Sequence, residues 1–413
     1  MGKIESYVYD LLKDNVRVKN AVKWVYQGLF SAWPGPRKET NLKLNTRPKA
    51  FFGFHDKSPW SSDGSLLLGH SFEGEGTGNQ WQAGVPAGIC VFEGPDWTVS
   101  STVAHTNAWN WQQGAQLQWL GEGRRIVYND FRDGACVAVI QDLDTGAEIL
   151  LPHPVAAVSP DGSRYASICF ETFGRAMPGY GYAFEQTGAA SPVRPCELVV
   201  GKVEGGQELE ISLSDLGSHL PSGEEREGID FFSHCLFSPT DRHLLFLRRR
   251  SVPNRRLRSE MFCLDLQACS LRRMDFHNMV SHFTWVSDKN VLAYANTEDE
   301  GDGYYIADVE TGTVTQCTSQ FHEDDGHPHA TPDGDRVVFD TYPDRRRYQR
   351  LFLWEEEKEQ SRLLARLFSP MKFWGSSRVD LHPRIRADGR YLSFDASHTG
   401  VRSLVTAELP PDS

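Results

Sequence analysis

The chain has 413 residues, of which 39% are hydrophobic and 11% aromatic, so it can bury a large core and is not a disordered protein. It carries 43 basic and 55 acidic side chains, a formal net charge of −12. This acidic balance argues against general nucleic-acid binding, which needs a basic surface. The length fits two or three domains or one large closed β-architecture.

Cysteine spacing and hydropathy indicate where such a chain works. The eight cysteines lack the Cys-x-x-Cys spacing of zinc ribbons and thioredoxin-type sites, and they stand in strand-like runs. We interpret them as small buried side chains in a reducing compartment. The sequence has no run of about 18 apolar residues that would form a transmembrane helix, and no signal peptide. We therefore expect a cytoplasmic protein.

The N-terminal segment has apolar residues at helical spacing, which predicts a helix over residues 4–31. We assign residues 1–49 to a short helical extension that packs on the edge of the main domain. The alternative is peripheral association of this helix with a membrane surface or with a partner, although its mixed charge weakens the membrane interpretation.

One pattern then recurs along the chain: an apolar pair, a turn of the Ser-Pro-Asp-Gly type and an alternating strand. An Asp-Gly turn between two apolar runs is a strong hairpin signal. The seven copies are SPWSSDGSLLLGHS (59–72), WLGEGRRIVYND (119–130), VSPDGSRYASICF (158–170), FSPTDRHLLFLRR (237–249), WVSDKNVLAYAN (285–296), TPDGDRVVFDTY (331–342) and RADGRYLSFDAS (386–397). A second hairpin with an Asp-x-x-Thr-Gly turn follows most copies, as at 142–149 and 308–315.

Four short strands repeated seven times predict an all-β fold, a seven-bladed β-propeller over residues 50–413. Radial stacking buries both faces of each blade and protects its edges. No helical patterns alternate with the strands, which argues against βαβ units. Two separate β-sandwiches are the runner-up, but they would not explain one motif that recurs along the whole chain.

The third repeat carries an insertion at 171–197, and long insertions in a compact repeat fold are typical of lids and binding loops. Its glycines permit sharp turns that would present Tyr180 and Tyr182 over the channel. Arg175 and Arg194 flank the two tyrosines. The alternative is a rim loop whose tyrosines pack on blade edges.

Histidines recur at one position of the repeat, six residues before the turn residue. They are His234, His282, His327 and His382. Gln116 holds this position in the second repeat, and the first repeat has His55 eight residues before its turn residue. The position begins the innermost strand of each blade, so we expect these side chains to ring the central channel at one face.

Converging imidazoles suit a first-row divalent metal, and we expect zinc or manganese. Asp325 and Asp380 each precede a register histidine by two residues and are candidate ligands or partners of an imidazole. The alternative is structural, because polar residues repeated in a propeller often tie blades together through backbone hydrogen bonds. Which of the histidines bind a metal stays open, and His329 is a further candidate.

Other polar residues fall near the same rim and are assigned to substrate binding: Gln113, Gln116, Asn129, Arg175 and Arg249. Together with neighbouring tryptophans they suit a sugar that bears carboxylates, because rings stack on sugar faces and Arg pairs with uronates. An acidic glycan is therefore the expected partner. The sequence has no Gly-x-Ser-x-Gly elbow, no Walker loop and no dinucleotide fingerprint.

Several of these segments resemble the TolB-like and WD40-like propeller proteins that include oligogalacturonate lyase and the ulvan lyases. The resemblance is carried by DDGHPHATPDGDRVVFDTYPD (324–344), RVDLHPRIRADGRYLSFDASHTGVRSL (378–404), FFGFHDKSPWSSDG (51–64), NWQQGAQLQW (110–119), IVYND (126–130) and PGYGYA (178–183). It extends over residues 50–413.

The resemblance implies a polysaccharide lyase that cleaves a uronic-acid glycan by β-elimination. It implies a divalent metal on the four register histidines. By the same resemblance Tyr180 or Tyr182, followed by Arg194, looks like the Tyr and Arg pair that carries the chemistry, with His55 or His70 as the alternative base. A tyrosine base needs nearby positive charge that lowers its pKa from about 10.

One departure from the family pattern favours a second function. Where the ulvan lyases carry histidines near the Gln-Gly-Ala and Tyr-Asn-Asp segments, this chain has Gln113 and Asn129. The alternative is a non-catalytic propeller that binds glycan or acts as a scaffold in bacterial surface-polysaccharide biosynthesis, with a structural histidine ring.

Overall fold

The computed structural model describes residues 16–31, 35–78, 84–219, 228–317, 321 and 324–410. Within these residues the chain forms seven antiparallel sheets, which confirms the seven-bladed β-propeller. Five sheets consist of strands that follow one another along the chain, and the other two add one strand from the N-terminal segment. Each of the seven repeated turn motifs lies on the innermost hairpin of a different blade, as the sequence predicts.

The first four blades contain four strands each, ordered from the channel outward. Blade one contains β3 (Ala50–Phe51), β4 (Leu67–Ser71), β5 (Ala87–Glu93) and β6 (Val99–Thr106). Blade two contains β7 (Gln118–Trp119), β8 (Arg125–Arg132), β9 (Ala135–Asp142) and β10 (Glu148–Leu151). Blade three contains β11 (Ala157–Val158), β12 (Arg164–Ile168), β13 (Glu197–Lys202) and β14 (Gln207–Ser212). Blade four contains β15 (Ile229–Phe237), β16 (His243–Ser251), β17 (Arg258–Asp265) and β18 (Ser270–Arg273).

The last three blades differ in that two of them take a strand from the N-terminal segment. Blade five contains β19 (Val280–Trp285), β20 (Asn290–Thr297), β21 (Gly301–Asp308) and β22 (Val314–Gln316). Blade six contains β23 (His329–Ala330), β24 (Arg336–Asp340), β25 (Tyr348–Glu355), β26 (Gln360–Phe368) and β1 (Lys38–Thr40). Blade seven contains β27 (Arg384–Ile385), β28 (Tyr391–Ala396), β29 (Ser403–Glu408) and β2 (Leu44–Pro48).

The N-terminal strands close the ring. β2 pairs with β29 as the outermost strand of blade seven, and the chain then enters blade one directly. Residues 38–48, which we expected to belong to a helical extension, therefore form propeller strands. The reason is that the edge of the last blade must be paired, and the segment entering the first blade is close enough to pair with it.

The described helices are few and short. They are α1 (Val16–Ser31), α2 (Phe170–Ala176) and α3 (Phe184–Thr187), with 3₁₀ turns at Leu213–His219, Glu356–Lys358 and Gly375–Ser377. The expected N-terminal helix is confirmed over α1, and the part of that expectation on residues 4–15 lies outside the described residues. In the part of the chain that the structure describes, no helix is long and apolar enough to cross a membrane.

The inner hairpin turns explain why one motif recurs. A hydroxyl two residues before the turn aspartate donates a hydrogen bond to its carboxylate, as in Ser61–Asp63, Ser159–Asp161 and Thr331–Asp333. The glycine that follows adopts a left-handed conformation. At Gly334 φ is +79°, and a Cβ there would lie 2.2 Å from the Val286 carbonyl oxygen of the preceding blade. Only glycine fits this contact.

Polar side chains on the second strand of several blades reach the backbone of the next blade. Asp395 on β28 accepts hydrogen bonds from the backbone N–H groups of Phe52 and Gly53, both at 3.0 Å, and also from Arg384. Asn129 on β8 accepts from the N–H of Val155 and donates to its carbonyl oxygen. These bonds fix how each blade meets its neighbour.

We expect Asp395→Ala to lower the free energy of unfolding by about 3–5 kcal/mol, because the buried Arg384 guanidinium loses its carboxylate partner and two backbone N–H groups lose their acceptor. Thermal and urea unfolding measure this loss. The control is Asp388→Ala at the exposed turn of the same blade, where Asp388 pairs with Arg386 and the expected loss is below about 1 kcal/mol. Equal losses in the two variants would show that the contact between blades seven and one does not stabilise the ring.

Candidate metal and glycan site

The register histidines stand where the innermost strands depart from regular geometry. His234 and His382 have φ values of 55° and 43°, in the left-handed region, and Gln116 at the same register has 55°. His282 lies beside a shift in the pairing of β19 with β20. Residues with positive φ and β-bulges change the direction of a side chain, and both are frequent at functional sites. The backbone thus takes these side chains out of the regular strand alternation.

The imidazoles converge on one phenylalanine. The Phe54 ring lies within 6.0 Å, centroid to centroid, of five imidazole rings, those of His55, His234, His282, His327 and His382. The rings of His282 and His327 are 4.0 Å apart, and those of His327 and His382 are 4.3 Å apart. All five histidines are buried. The structure therefore brings together every histidine assigned to a metal or catalytic role.

Three of these rings are held by their Nδ1 atoms. His55 Nδ1 donates to the Pro328 carbonyl oxygen at 2.7 Å, and His382 Nδ1 donates to the Gly53 carbonyl oxygen at 2.9 Å. His327 Nδ1 lies 2.7 Å from a carboxylate oxygen of Asp340. With the proton on Nδ1, the lone pair of each neutral ring is on Nε2. These three buried Nε2 atoms have no hydrogen-bond partner among the described residues.

The carboxylate of Asp380 lies close to His327 and His382. One oxygen of Asp380 accepts a hydrogen bond from Arg378 Nε at 2.5 Å, and the other has no hydrogen-bond partner in the described part of the chain. Donor atoms of His327, Asp380 and His382 all lie within 4.8 Å of one another. Two imidazole nitrogens and a carboxylate oxygen, each ring oriented through its other nitrogen, form a donor set that suits manganese or zinc.

The pKa directions favour ligation by Asp380 and His382 more than by His327. Burial lowers the pKa of His55 and of His382 well below the usual range, so both rings are neutral near pH 7. Burial also lowers the pKa of His327, but Asp340 and nearby carboxylates outweigh it and the pKa is raised. Burial of Asp380 favours its neutral form, yet Arg378 and His327 hold its pKa below the usual value. The group therefore offers the Asp380 carboxylate and a neutral His382 imidazole, with the neutral His55 beside them, whereas His327 holds its proton more tightly and a metal ion there would have to displace it.

The other two register histidines lie beside this group. His282 Nδ1 is 3.3 Å from an Asp325 carboxylate oxygen and 3.1 Å from Ser281 Oγ. His234 lies on another side of Phe54, where Phe173 and Tyr180 cover its ring. Of the four assigned ligands, the structure groups His327 and His382 with Asp380. The metal role itself stays a prediction.

The insertion reaches the cluster through one of its two tyrosines. The Tyr180 hydroxyl accepts a hydrogen bond from Arg378 Nη2 at 2.6 Å, and the same arginine binds Asp380. The carbonyl oxygen of Tyr180 accepts from Asn110 of the segment leading into blade two. The insertion thus extends from blade three to the segment that enters blade seven and places Tyr180 next to the histidines.

Tyr182 has a different environment. Its ring stacks on Phe170 at 4.8 Å in the hydrophobic core, and its hydroxyl accepts a hydrogen bond from Asn129. Burial raises the pKa of Tyr182 well above its usual value, the opposite of what a tyrosine base needs. The Asn129 amide has both N–H groups engaged, with Val155 and with Tyr182. The structure places these two residues inside the contact between blades two and three.

Arg249 is buried near the cluster. It donates to the carbonyl oxygens of Val280 and Ser281 and to the Met177 sulfur, and no carboxylate lies within ion-pair distance among the described residues. Burial lowers the pKa of Arg249 to about 10, so the guanidinium stays charged at neutral pH. It also lowers the pKa of His234 by charge repulsion, after the larger effect of burial. A buried cation of this kind is suited to a carboxylate ligand.

The hydrogen bonds and ion pairs of the remaining assigned residues are made with groups other than the histidines of the cluster. Gln113 and Gln116 are buried and bond to each other, the Gln116 amide donating to Gln113 Oε1. Arg194 has a side chain that is 71% exposed and pairs with Glu197 and Glu210 on the outer strands of blade three. Arg175 is exposed and donates to Thr172 within α2.

Two histidines considered as alternatives have structural contacts. His70 Nε2 accepts a hydrogen bond from the backbone N–H of Ala115, and burial lowers the pKa of His70 to about 4. His329 Nδ1 accepts from the backbone N–H of Ile385. Each of these bonds joins one blade to the next.

The residues that the sequence analysis misses are mainly those that contact the histidines and Asp380. The sequence pattern does not single out Phe54, Arg378 or Asp340, and it indicates Asp380 only as a neighbour of a register histidine. A signal for Asp340 exists in the repeat, because the residue seven positions after the turn residue is polar in four blades. These residues are His70, Asn129, Asp340 and Asp395, and each one accepts from the backbone of the next blade.

The fold and site together define a seven-bladed propeller with a buried histidine–carboxylate cluster at one end of its channel. The chain is similar to a manganese complex of oligogalacturonate lyase, with a TM-score of 0.62 and 16% identity over 92% of this chain and 99% of that one. It is also similar to oligogalacturonate lyase from Vibrio parahaemolyticus, with a TM-score of 0.60 and 13% identity over 92% and 99%.

A third similar structure is a β-propeller domain from Myceliophteria thermophila, with a TM-score of 0.51 and 11% identity over 89% of this chain and 100% of that one. No protein-family model matches the sequence, and comparison with curated proteins gives no match. The expected resemblance to oligogalacturonate lyase and WD40-like propellers is confirmed as a similarity of fold. At these identities the activity does not follow from the fold.

We expect the protein to bind about one manganese or zinc ion per chain, and the double variant His327→Gln/His382→Gln to bind none, because it loses two of three grouped donors. Elemental analysis after dialysis against each metal measures this. The matched control is His329→Gln, which alters the same His-Pro-His step outside the grouped donors and should keep the ion. A metal-free wild-type protein, or an ion retained by the double variant, would show that the ring is structural.

Proposed function

We propose that the protein is a lyase that cleaves a uronic-acid glycan by β-elimination at the histidine–carboxylate cluster. The observation that carries the proposal is the grouping of His327, His382 and Asp380, whose donor atoms are close together. The buried Nε2 atoms of the two histidines and one carboxylate oxygen of Asp380 have no hydrogen-bond partner among the described residues. The similarity of fold to oligogalacturonate lyase, one structure of which is a manganese complex, supports the same reaction class.

β-Elimination needs positive charge next to the substrate carboxylate. In β-elimination a base removes the proton on the carbon next to the uronate carboxylate, a carbon–carbon double bond forms, and the glycosidic oxygen leaves with a proton. His327, Asp380 and His382 would hold a divalent ion, which would supply positive charge next to the uronate carboxylate. Arg249, buried and without a carboxylate partner among the described residues, adds a second cation for an acidic sugar.

Proton transfer requires a group next to this charge. Tyr180 is the side chain of the insertion that reaches the cluster, and its hydroxyl is held by Arg378. His55 is the alternative, because its Nε2 carries a lone pair on a buried, neutral ring. We assign the proton transfer to Tyr180, with His55 as the group that would replace it if the Tyr180 hydroxyl proves dispensable.

A second candidate is a propeller that binds an acidic glycan without cleaving it. The observation that favours it is the placement of three assigned residues, because Arg194 lies on the outer surface and Tyr182 and Asn129 are engaged within the blade contact. Arg249 and the cluster would then bind the sugar. A glycan that binds and is not cleaved decides for this candidate.

The decisive assay follows the ultraviolet absorbance of the unsaturated product on a panel of uronate glycans with added manganese or zinc. We expect Tyr180→Phe to reduce turnover at least about 10²-fold while glycan binding changes only a few-fold, because it removes a proton-transfer group and keeps the ring. The matched control is Tyr182→Phe, which should keep turnover. If Tyr180→Phe retains full activity, His55 becomes the leading base.

We also expect Arg249→Gln to weaken binding of an acidic glycan by about tenfold or more, because it removes a buried cation from the site. Isothermal titration with a uronate oligosaccharide measures the affinity. Arg194→Gln, which removes an arginine of the 171–197 insertion at the outer surface, should leave the affinity unchanged. The reverse ranking of the two variants would move the glycan site from the channel to the outer strands of blade three.

A further inference from the structure

The helix α1 packs on the propeller through a polar side chain. Gln27 is 2% exposed, and its amide donates to the carbonyl oxygens of Pro343 and Asp344, both at 2.8 Å. Its Oε1 accepts from Arg347 Nη1 at 3.1 Å. This arrangement is the reverse of the usual amphipathic helix, which buries its apolar side.

The opposite side of α1 is apolar and exposed. Val22, Val25 and Leu29 follow one another at helical spacing and are 43%, 54% and 72% exposed. By helical spacing Trp24 and Phe30 lie on the two flanks of α1, nearer to Gln27, and are 53% and 41% exposed. Val22, Val25 and Leu29 form the exposed apolar stripe opposite Gln27, and an exposed apolar surface of this kind marks an interaction surface.

The charge of the helix indicates which surface it fits. Residues 16–31 contain three basic residues, Arg17, Lys19 and Lys23, and no acidic residue, in a chain whose net charge is −12. The acidic residues that give the N-terminal segment its mixed charge, Glu5, Asp10 and Asp14, all precede residue 16 in the sequence. A second copy of this helix would bring equal positive charge against it. An anionic bilayer offers the opposite charge, a boundary that accepts Val and Leu, and the polar–apolar interface where Trp and Phe lie.

We propose that α1 is a membrane-interface helix that binds the surface of an anionic bilayer through Val22, Val25 and Leu29. The helix sits on residues 343–347, directly after Tyr342, whose ring is 5.4 Å from that of His327. These contacts place α1 at the end of the propeller that holds the histidine cluster. This inference stands whether or not the protein is a lyase, since it needs no glycan.

Flotation of the full-length protein with phosphatidylcholine vesicles, with and without phosphatidylglycerol, tests the proposal. We expect binding only to the vesicles that contain phosphatidylglycerol, and weaker binding as salt is raised. The variant Val25→Asp/Leu29→Asp should bind at least about tenfold more weakly, and Arg17→Glu should also reduce binding. The matched control is Ile149→Asp on β10, 58% exposed on blade two, which should bind like the wild type.

Other outcomes would overturn the proposal. Wild-type protein that does not float with phosphatidylglycerol vesicles contradicts it. Equal binding by Val25→Asp/Leu29→Asp and wild type shows that another surface contacts the lipid. A dimer in light scattering that the same variant dissociates, without vesicle binding, identifies a second copy as the occupant. Circular dichroism and thermal unfolding establish that each variant is folded, and they do not depend on lyase activity.

Discussion

The candidate site depends on one buried carboxylate. Asp340, at the end of β24, accepts hydrogen bonds from the His327 N–H, from His327 Nδ1 and from the His382 N–H of the next blade. It thereby fixes the tautomer of one imidazole, the backbone of the other, and the contact between blades six and seven. A carboxylate with three donors in a dry interior is a rigid anchor. The same bonds that join two blades therefore orient two candidate ligands.

The contact between blades seven and one extends this arrangement. Asp395 holds the N–H groups of Phe52 and Gly53, and the carbonyl oxygen of Gly53 in turn accepts from His382 Nδ1. Phe54 and His55 follow directly in the chain, so their rings enter the cluster from a backbone that blade seven has positioned. Ring closure and site geometry form one network, which is why the structural and metal interpretations of the histidines are not mutually exclusive.

The sequence predicted features that depend on residues within one repeat better than features that depend on contacts between blades. The turn motif repeats locally, so it predicted seven inner hairpins and the register that brings four histidines to one end. Asp340 stands at a repeat position that is polar in four blades, but its role depends on His382 in the next blade, so the repeat alone did not show what it holds. From their spacing in the insertion, both Tyr180 and Tyr182 were predicted to lie over the channel. Two residues apart in an irregular loop, one reaches Arg378 and the other packs on Phe170.

The pairing of β2 with β29 has a consequence for how the molecule forms. Leu44–Pro48 pairs with Ser403–Glu408, so strands β3 to β28 are all synthesised between the two partners. Contacts of such long sequence separation form late and slow the folding of β-proteins. Until β29 has been synthesised, β2 has no strand to pair with. A truncated product that lacks β29 would expose an unpaired strand edge that can aggregate.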